Sequence, residues 1–275
     1  MNLIPLVFYV AAAVAYALNF VRRTPLGGRA ATTILVGAAL AHTFVIGMQT
    51  MATGHVPLAG TTSAITTFVW LLALSYLYTE LTTDERAMGV FILPLLVALQ
   101  TIPAFSRSIE ERSAVLQSPW FGVHVSSLLF AYASFALACV IGVTYVLLFK
   151  EIKAKHLGFF YARLPSLQVL DEMNSRAIMV GWIFLTLGVL VGALWTADAR
   201  TTTAAADPRV QAMSLLDPKI FIAVLCWIVY SFELIAQRAI GWRGRRAAWL
   251  SALAFVIVLL NFVPVSYFLT KSHNF

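Results

Sequence analysis

Long apolar runs divide the whole chain, and each is long enough to cross a lipid bilayer. A transmembrane helix needs about 20 consecutive, mostly apolar residues. Eight segments reach that length, at about residues 3–21, 31–49, 62–79, 88–104, 121–149, 177–195, 219–236 and 247–269. Because hydrocarbon offers no water to backbone polar groups, such spans must be helical. The pattern predicts an all-α, polytopic membrane bundle in which residues 1–275 form a single membrane domain.

The composition excludes a soluble protein. Hydrophobic residues make up 60% of the chain and charged residues only 11%, whereas soluble domains carry about 25% charged residues. The formal net charge of +7 does not indicate a nucleic-acid partner, because the basic residues lie in short loops between apolar runs. The predicted surroundings are therefore the lipid bilayer.

The basic residues predict the orientation of the bundle. Thirteen of them lie in loops on one side: Arg22, Arg23, Arg29, Arg86, Lys150, Lys153, Lys155, Arg163, Arg176, Arg238, Arg243, Arg245 and Arg246. The other six are Arg107, Arg112, Arg200, Arg209, Lys219 and Lys271. Cytoplasmic loops carry the excess of Lys and Arg. The first side is therefore predicted to be cytoplasmic, with both termini on the outer side of a bacterial inner (plasma) membrane.

Two features are expected on the cytoplasmic side. The stretch LPSLQVLDEMNSR alternates apolar and polar residues at helical spacing, which predicts an amphipathic helix along the inner interface. Glu233 lies near the inner end of the seventh span, where Arg238 or the basic turn at 241–246 is expected to form an ion pair with it.

Histidines are the best candidates for chemistry, because ionisable groups in apolar spans are costly and often functional. His42 lies at middle depth in the second span, either hydrogen-bonded to a neighbouring helix or in contact with heme or quinone. His124 opens the fifth span, with Trp120 one helical turn before it on the same face. His273 follows the eighth span on the same side. His124 could also be a packing or interface residue, and His273 a terminal histidine without a role. Together, however, they provide the two imidazoles that heme iron takes.

The sequence contains no motif of a hydrolase. There is no Ser-His-Asp arrangement, no pair of catalytic carboxylates, no glycine-rich phosphate loop and no HExxH. We expect the chain not to be an enzyme by itself. The longest polar interval of the second half, residues 192–219, begins near Trp195 and ends with Asp217-Pro218-Lys219.

Several stretches resemble the cytochrome c assembly family, the CcsA/CcmC heme-handling superfamily, and most of all its CcsA and HemX-like members. The resemblance lies in LPSLQVLDEMNSRAIMVGWIFLTLGVLVGALW and in DPKIFIAVLCWIVYSFELIAQRAIGWRGRRAAWLSALAFVIVLLNFV. SPWFGVHV resembles the segment that carries the family's first external histidine, and GHVPLAGTTSAITTFVWLLALSYLY the segment after its second span. The similarity covers about residues 40–270.

The resemblance implies a heme site, with heme b as cofactor, on the outer face. By position, His124 and His273 would hold the iron, and Asp217 matches an aspartate of the family's tryptophan-rich motif. Lys219 would meet a propionate, and Trp120 and Trp195 would lie beside the porphyrin. His42 is a further heme candidate. The implied partner is another membrane protein of cytochrome c or heme metabolism, and the chain would be at most a subunit of a heme-ligation system.

The chain also departs from the family pattern. Leu216 stands where the family has a tryptophan, and residues 196–215 contain no aromatic residue. Ala236 stands where the family has an intramembrane histidine, and the terminal KSHNF is a loose match. Two functions follow: a protein that handles or presents heme at the outer face, or a heme-free, HemX-like subunit that stabilises or modulates a partner.

Overall fold

The helices account for nearly all of the structure, a computed structural model that describes residues 2–58, 60–106, 118–155, 158–199 and 218–260. In chain order they are α1 Leu3–Arg22, α2 Pro25–Thr53, α3 Thr61–Thr83, α4 Gly89–Phe105, α5 Pro119–Lys153, α6 Phe159–Arg163, α7 Leu167–Ala199, α8 Pro218–Ile235 and α9 Arg245–Leu260. A π-helical turn, Ala236–Ile240, extends α8. No strand occurs in these ranges, and the predicted all-α class is confirmed.

The predicted membrane character is confirmed as well. Among the described residues, six helices are long and apolar enough to cross a bilayer: α1, α2, α3, α5, α7 and α8 with its π-turn. The fourth predicted span coincides with α4, a shorter apolar helix of 17 residues. The eighth coincides with α9 up to Leu260 and then lies outside the described residues. The number of crossings and the orientation of the termini stay predictions.

The helix ends follow local sequence signals. Pro25 and Pro119 begin α2 and α5, where the missing N–H costs nothing. Thr24 caps α2 by accepting a hydrogen bond from the Gly27 amide at 3.1 Å. Gly54 ends the same helix at φ 81°, in the left-handed region that favours glycine.

The predicted interfacial helix is wrong: LQVLDEMNSR forms the first turns of α7 itself. The helix runs on because no proline or glycine interrupts it between Leu167 and Val180. Its apolar stripe, Leu170, Met173 and Ala177, is buried against the bundle and not against lipid headgroups. On its polar side Arg176 pairs with Glu172, as residues four apart on a helix do.

Long helices that follow one another in the chain run in opposite directions, so the bundle has two ends. Asn2 at the start of α1 donates to the Pro103 carbonyl at the end of α4 at 3.1 Å. At the other end, Arg176 near the start of α7 donates to the Thr82 carbonyl at the end of α3 at 2.6 Å. We call them the His124 end and the Glu233 end; the basic residues predict that the first is the outer one.

Glycines let the long central helices approach closely. A Cβ placed on Gly181 of α7 would lie 2.4 Å from Phe135 Cε1 of α5. On Gly142 of α5, a Cβ would lie 2.7 Å from the carbonyl oxygen of Ala248 in α9. In lipid the hydrophobic effect does not drive helices together. Small residues at such crossings let the backbones approach, so close packing can hold the helices together instead. Among the described helices, α5 and α7 make the most extensive contact.

We expect Gly142→Ala to destabilise the protein, because the added methyl meets a backbone carbonyl that cannot rotate away. Overpacking of this kind costs about 1–3 kcal/mol. The control is Gly47→Ala on α2, where a Cβ has no neighbour within 4 Å and alanine favours the helix by about 1 kcal/mol. Thermal unfolding in detergent checks both, and equal transition temperatures for the two variants would contradict the close α5–α9 contact.

Candidate functional site

His124 is held against α7 by its own helix and by a backbone carbonyl. It lies in the second turn of α5, and its Nδ1 is 2.7 Å from the carbonyl oxygen of Gly188. A carbonyl oxygen can only accept, so Nδ1 of the imidazole carries the hydrogen and donates it. In the neutral ring the lone pair is then on Nε2.

Gly192 makes the space for this imidazole. A Cβ on Gly192 would lie 2.4 Å from Cε1 and 2.5 Å from Nδ1 of His124. Gly188 and Gly192 are four residues apart and so lie on the same face of α7. Two consecutive glycine positions on that face therefore form a seat for the ring, one as hydrogen-bond acceptor and the other as open space.

Aromatic rings complete the surroundings of His124. The indole of Trp195 lies 6.3 Å from the imidazole, centroid to centroid, with the two planes 20° apart. Phe121 packs on the same indole at 5.4 Å. Trp195 is only 4% exposed, so its ring supports the imidazole from within the protein. We call Phe121, His124 and Trp195 the α5–α7 aromatic cluster.

Trp120 lies at the open side of this cluster. It is the second residue of α5 and is 48% exposed, unlike Trp195. A large flat ring at that position is available to a planar ligand or to the headgroup region of a membrane. Of the two predicted tryptophans, only Trp120 therefore offers an exposed aromatic surface.

The residues present fit a heme iron. Metal-binding histidines commonly donate their second ring N–H to a backbone carbonyl, which fixes the tautomer and the ring orientation; His124 has this arrangement with Gly188. Within the described ranges, no three His, Cys, Asp or Glu side chains come together as a protein metal site. Heme requires less from the protein, because the porphyrin supplies four ligands and the chain only the axial ones.

His42 lies elsewhere in the bundle, between α1, α2 and α3. It is fully buried, and its Nδ1 lies 3.0 Å from the Tyr9 hydroxyl. Its Nε2 lies 3.1 Å from the Thr66 hydroxyl. This is the hydrogen-bonded arrangement that the sequence left open as one of two alternatives. Binding iron through His42 would require one of these bonds to break, and a cofactor contact there stays a prediction.

The remaining predicted site residues lie at or beyond the limits of the described structure. Asp217 and His273 are outside the described residues. Lys219 is in the first turn of α8. Their roles toward heme, including the second axial ligand, therefore stay predictions.

Sequence reasoning missed the residues that position the imidazole. Gly188, Gly192 and Phe121 were not predicted as part of the site. The signal was present, since the small-xxx-small spacing of the two glycines in LGVLVGALW is typical of a close helix contact. That spacing alone does not say which side chain of the partner helix occupies the contact.

The fold and this site define a multi-pass helical membrane protein with a buttressed imidazole at one end of its bundle. The Cytochrome C assembly protein family model matches residues 5–273, and the chain belongs to that family. A cytochrome c biogenesis protein CcsA of Guillardia theta is 26% identical over 264 residues, covering 89% of this chain and 84% of the relative.

Other relatives carry the same name. CcsA of Trieres chinensis is 23% identical, with 84% of this chain and 81% of the relative covered. CcsA of Chlorella vulgaris is 27% identical, with 78% and 75% covered. These relatives come from plastid-bearing eukaryotes, so the predicted bacterial membrane stays a prediction.

We expect Gly192→Ala to expel His124 from its seat, because the new methyl would overlap the imidazole. The control is Gly122→Ala on α5, two residues from His124, where a Cβ has no neighbour within 4 Å. Histidine-selective ¹⁵N labelling measures the tautomer directly. The Nδ1–H signal of His124 should be lost in the first variant and kept in the second; unchanged His124 signals in Gly192→Ala would contradict the seat.

Proposed function

We propose that this protein binds heme at the His124 end of its bundle and handles it during cytochrome c assembly. One observation carries the proposal: His124 donates its Nδ1–H to the Gly188 carbonyl, which orients the ring, fixes its tautomer and makes Nε2 the nitrogen that would bind iron. Family membership supports the choice of heme, because the relatives are named cytochrome c biogenesis proteins. We propose His273 as the second histidine that would hold the iron.

The chain's own residues would hold the porphyrin, orient the His124 imidazole toward the iron and exclude water. The Gly188 carbonyl raises the basicity of the His124 imidazole, and Trp195 restricts its rotation. Trp120 supplies exposed aromatic surface to one porphyrin edge, and Lys219 at the start of α8 supplies a positive charge for a propionate. When bound, the heme supplies an iron that exchanges electrons and a vinyl-bearing porphyrin that thiols can attack.

A partner is part of this proposal. Both cysteines of the chain lie within helices, Cys139 in α5 and Cys226 in α8, and the second is buried. Neither is near the ends of the bundle, so the thiols that would take up the heme belong to another protein. We propose that this partner is a membrane protein of cytochrome c or heme metabolism. We also propose that the chain lies in the bacterial inner membrane with its His124 end outward.

A second function is favoured by the position of Trp195. A ring that is 4% exposed cannot offer its face to a porphyrin, and residues 196–215 contain no aromatic residue to replace it. This arrangement also fits a heme-free, HemX-like subunit that stabilises or modulates a partner enzyme. Purification of a stoichiometric partner complex without heme would select this second function.

We expect His124→Gly to lose heme. Hemin titration of the purified variant should show roughly a tenfold or larger loss of affinity, which corresponds to about 1.4 kcal/mol, and the low-spin Soret band should disappear. Because glycine leaves a cavity of the right shape, added imidazole should restore the band, which a folding defect would not permit.

The matched control is His55→Ala. His55 lies in the loop after α2, also at the His124 end, with its Nδ1 3.1 Å from the Val56 carbonyl. We expect it to keep the affinity and spectrum of the parent protein. If His124→Gly bound hemin with an unchanged spectrum, the proposed ligand would be wrong.

A further inference from the structure

A second polar cluster is buried at the opposite end of the bundle, where α7, α8 and α9 meet. Ser251 of α9 donates to Oε1 of Glu233 in α8 at 2.5 Å and accepts from Nδ2 of Asn174 in α7 at 2.9 Å. All three side chains are buried. When the π-turn Ala236–Ile240 is counted with α8, each lies roughly 10 Å from the nearer end of its helix, at 1.5 Å per residue. One hydroxyl thus joins three helices at a common depth.

Three oxygen atoms of this region have no hydrogen-bond partner among the residues that the structure describes. They are Oε2 of Glu233, Oδ1 of Asn174 and the hydroxyl of Tyr230, and each is buried. Tyr230 precedes Glu233 by three residues on α8, so both lie on the same helix face. Buried polar atoms are almost always paired, and several unpaired atoms together require an explanation. All three atoms carry lone pairs, which is the chemistry that a small cation needs.

The carboxylate also has no counter-charge nearby. Glu233 forms no ion pair within the described ranges, so the expected ion pair with Arg238 or with the basic turn at 241–246 is wrong. Arg238 directs its guanidinium instead to the sulfur of Met179, at 3.7 Å. Arg238 follows Glu233 by five residues, and it lies within the π-turn Ala236–Ile240.

Glu80 provides a comparison, because it is a buried carboxylate whose two oxygens both accept hydrogen bonds. It is as buried as Glu233, at 1% exposure, and it also lies near the Glu233 end. Tyr16 donates to its Oε2 at 2.6 Å and Thr32 to its Oε1 at 2.5 Å. Arg86 donates from its Nε to that same threonine hydroxyl at 3.2 Å, so a single hydroxyl separates its positive charge from the Glu80 carboxylate. Glu233 has one partner, one unpaired oxygen and no guanidinium.

We propose that Glu233, Asn174 and Tyr230 bind one small monovalent cation, an alkali-metal ion or a proton, that neutralises the Glu233 carboxylate. An isolated charge in a low-dielectric interior costs several kcal/mol unless it is compensated. Hard cations take carboxylate, amide and hydroxyl oxygens as ligands, and these are the three kinds of oxygen present. A proton on Oε2 would likewise turn that atom into a donor. The site is independent of heme binding.

Other titratable and charged groups around this junction do not serve as counter-charges. On α5 they are Cys139 and Tyr145, on α7 Asp171, on α8 Cys226, and on α9 Arg245 and Arg246. Asp171 accepts from the Gly244 amide at 2.8 Å. The guanidinium groups of Arg245 and Arg246 lie over the rings of Phe149 and Trp242. The cation therefore has to come from solution.

The test compares the thermal unfolding of purified protein in lithium, sodium, potassium and choline chloride at equal ionic strength, at acidic and at alkaline pH. A ligand that binds only the folded state raises the unfolding temperature with its concentration. We expect the parent protein to respond to one of the alkali ions or to pH. Glu233→Gln, which keeps the shape and removes the charge, should lose at least tenfold in apparent cation affinity.

The control is Glu80→Gln, which should keep the full cation response because Glu80 is already satisfied. An alkali-ion response that is absent from Glu233→Gln identifies a metal ion. A pH response with an infrared C=O stretch of a carboxylic acid, both absent from Glu233→Gln, identifies a proton. Identical responses of the parent protein and Glu233→Gln to every cation and to pH would overturn the proposal.

A second variant keeps the test decisive if Glu233→Gln does not fold. Asn174→Asp preserves the side-chain shape and adds a second negative charge beside Glu233. It should raise the apparent affinity for the cation, whether metal ion or proton. An unchanged or lower affinity in a folded Asn174→Asp protein would count against a cation at this junction.

Discussion

The absence of water inside a bilayer governs this structure. Every backbone group must find its partner within its own helix, and every buried polar side chain must find one within the protein or on a ligand. His42, with a tyrosine and a threonine on its two ring nitrogens, and Glu80, with hydroxyls on both oxygens, satisfy this requirement internally. The groups that satisfy it incompletely are therefore informative about function.

The close contact between α5 and α7 converts this constraint into a site. Without a hydrophobic driving force, helices in lipid associate through shape, and glycines allow the approach. Glycines of α7 serve both purposes: Gly181 lets the two helices approach, and Gly188 and Gly192 form the seat for His124. The imidazole is thus fixed in orientation and tautomer by the same helix contact that holds the bundle together.

The positions of the helices depend on composition along the chain, and they could be predicted from the sequence. The contacts between helices depend on how the helices pack against one another, and they could not. The apolar runs placed the helices because length and hydropathy are local properties. The amphipathic start of α7 was misassigned because polar residues on one helix face serve equally well at a membrane interface and at a helix contact; Asn174 and Met173 face the bundle. Glu233 was paired with Arg238 from proximity in sequence, whereas Ser251, on another helix, is its partner. His124 was identified, but its glycine seat requires knowledge of which helix α7 touches.

We propose that His124 holds heme iron at one end of the bundle. The absorption spectrum of detergent-purified protein, recorded oxidised and then reduced, tests this role of His124 most directly. If His124 and a second histidine hold the iron, the spectrum should show a Soret band and, on reduction, the sharp visible bands of a low-spin heme with two imidazole ligands. Protein that is folded, pure and unable to take up hemin, with no Soret absorption in either state, would contradict it.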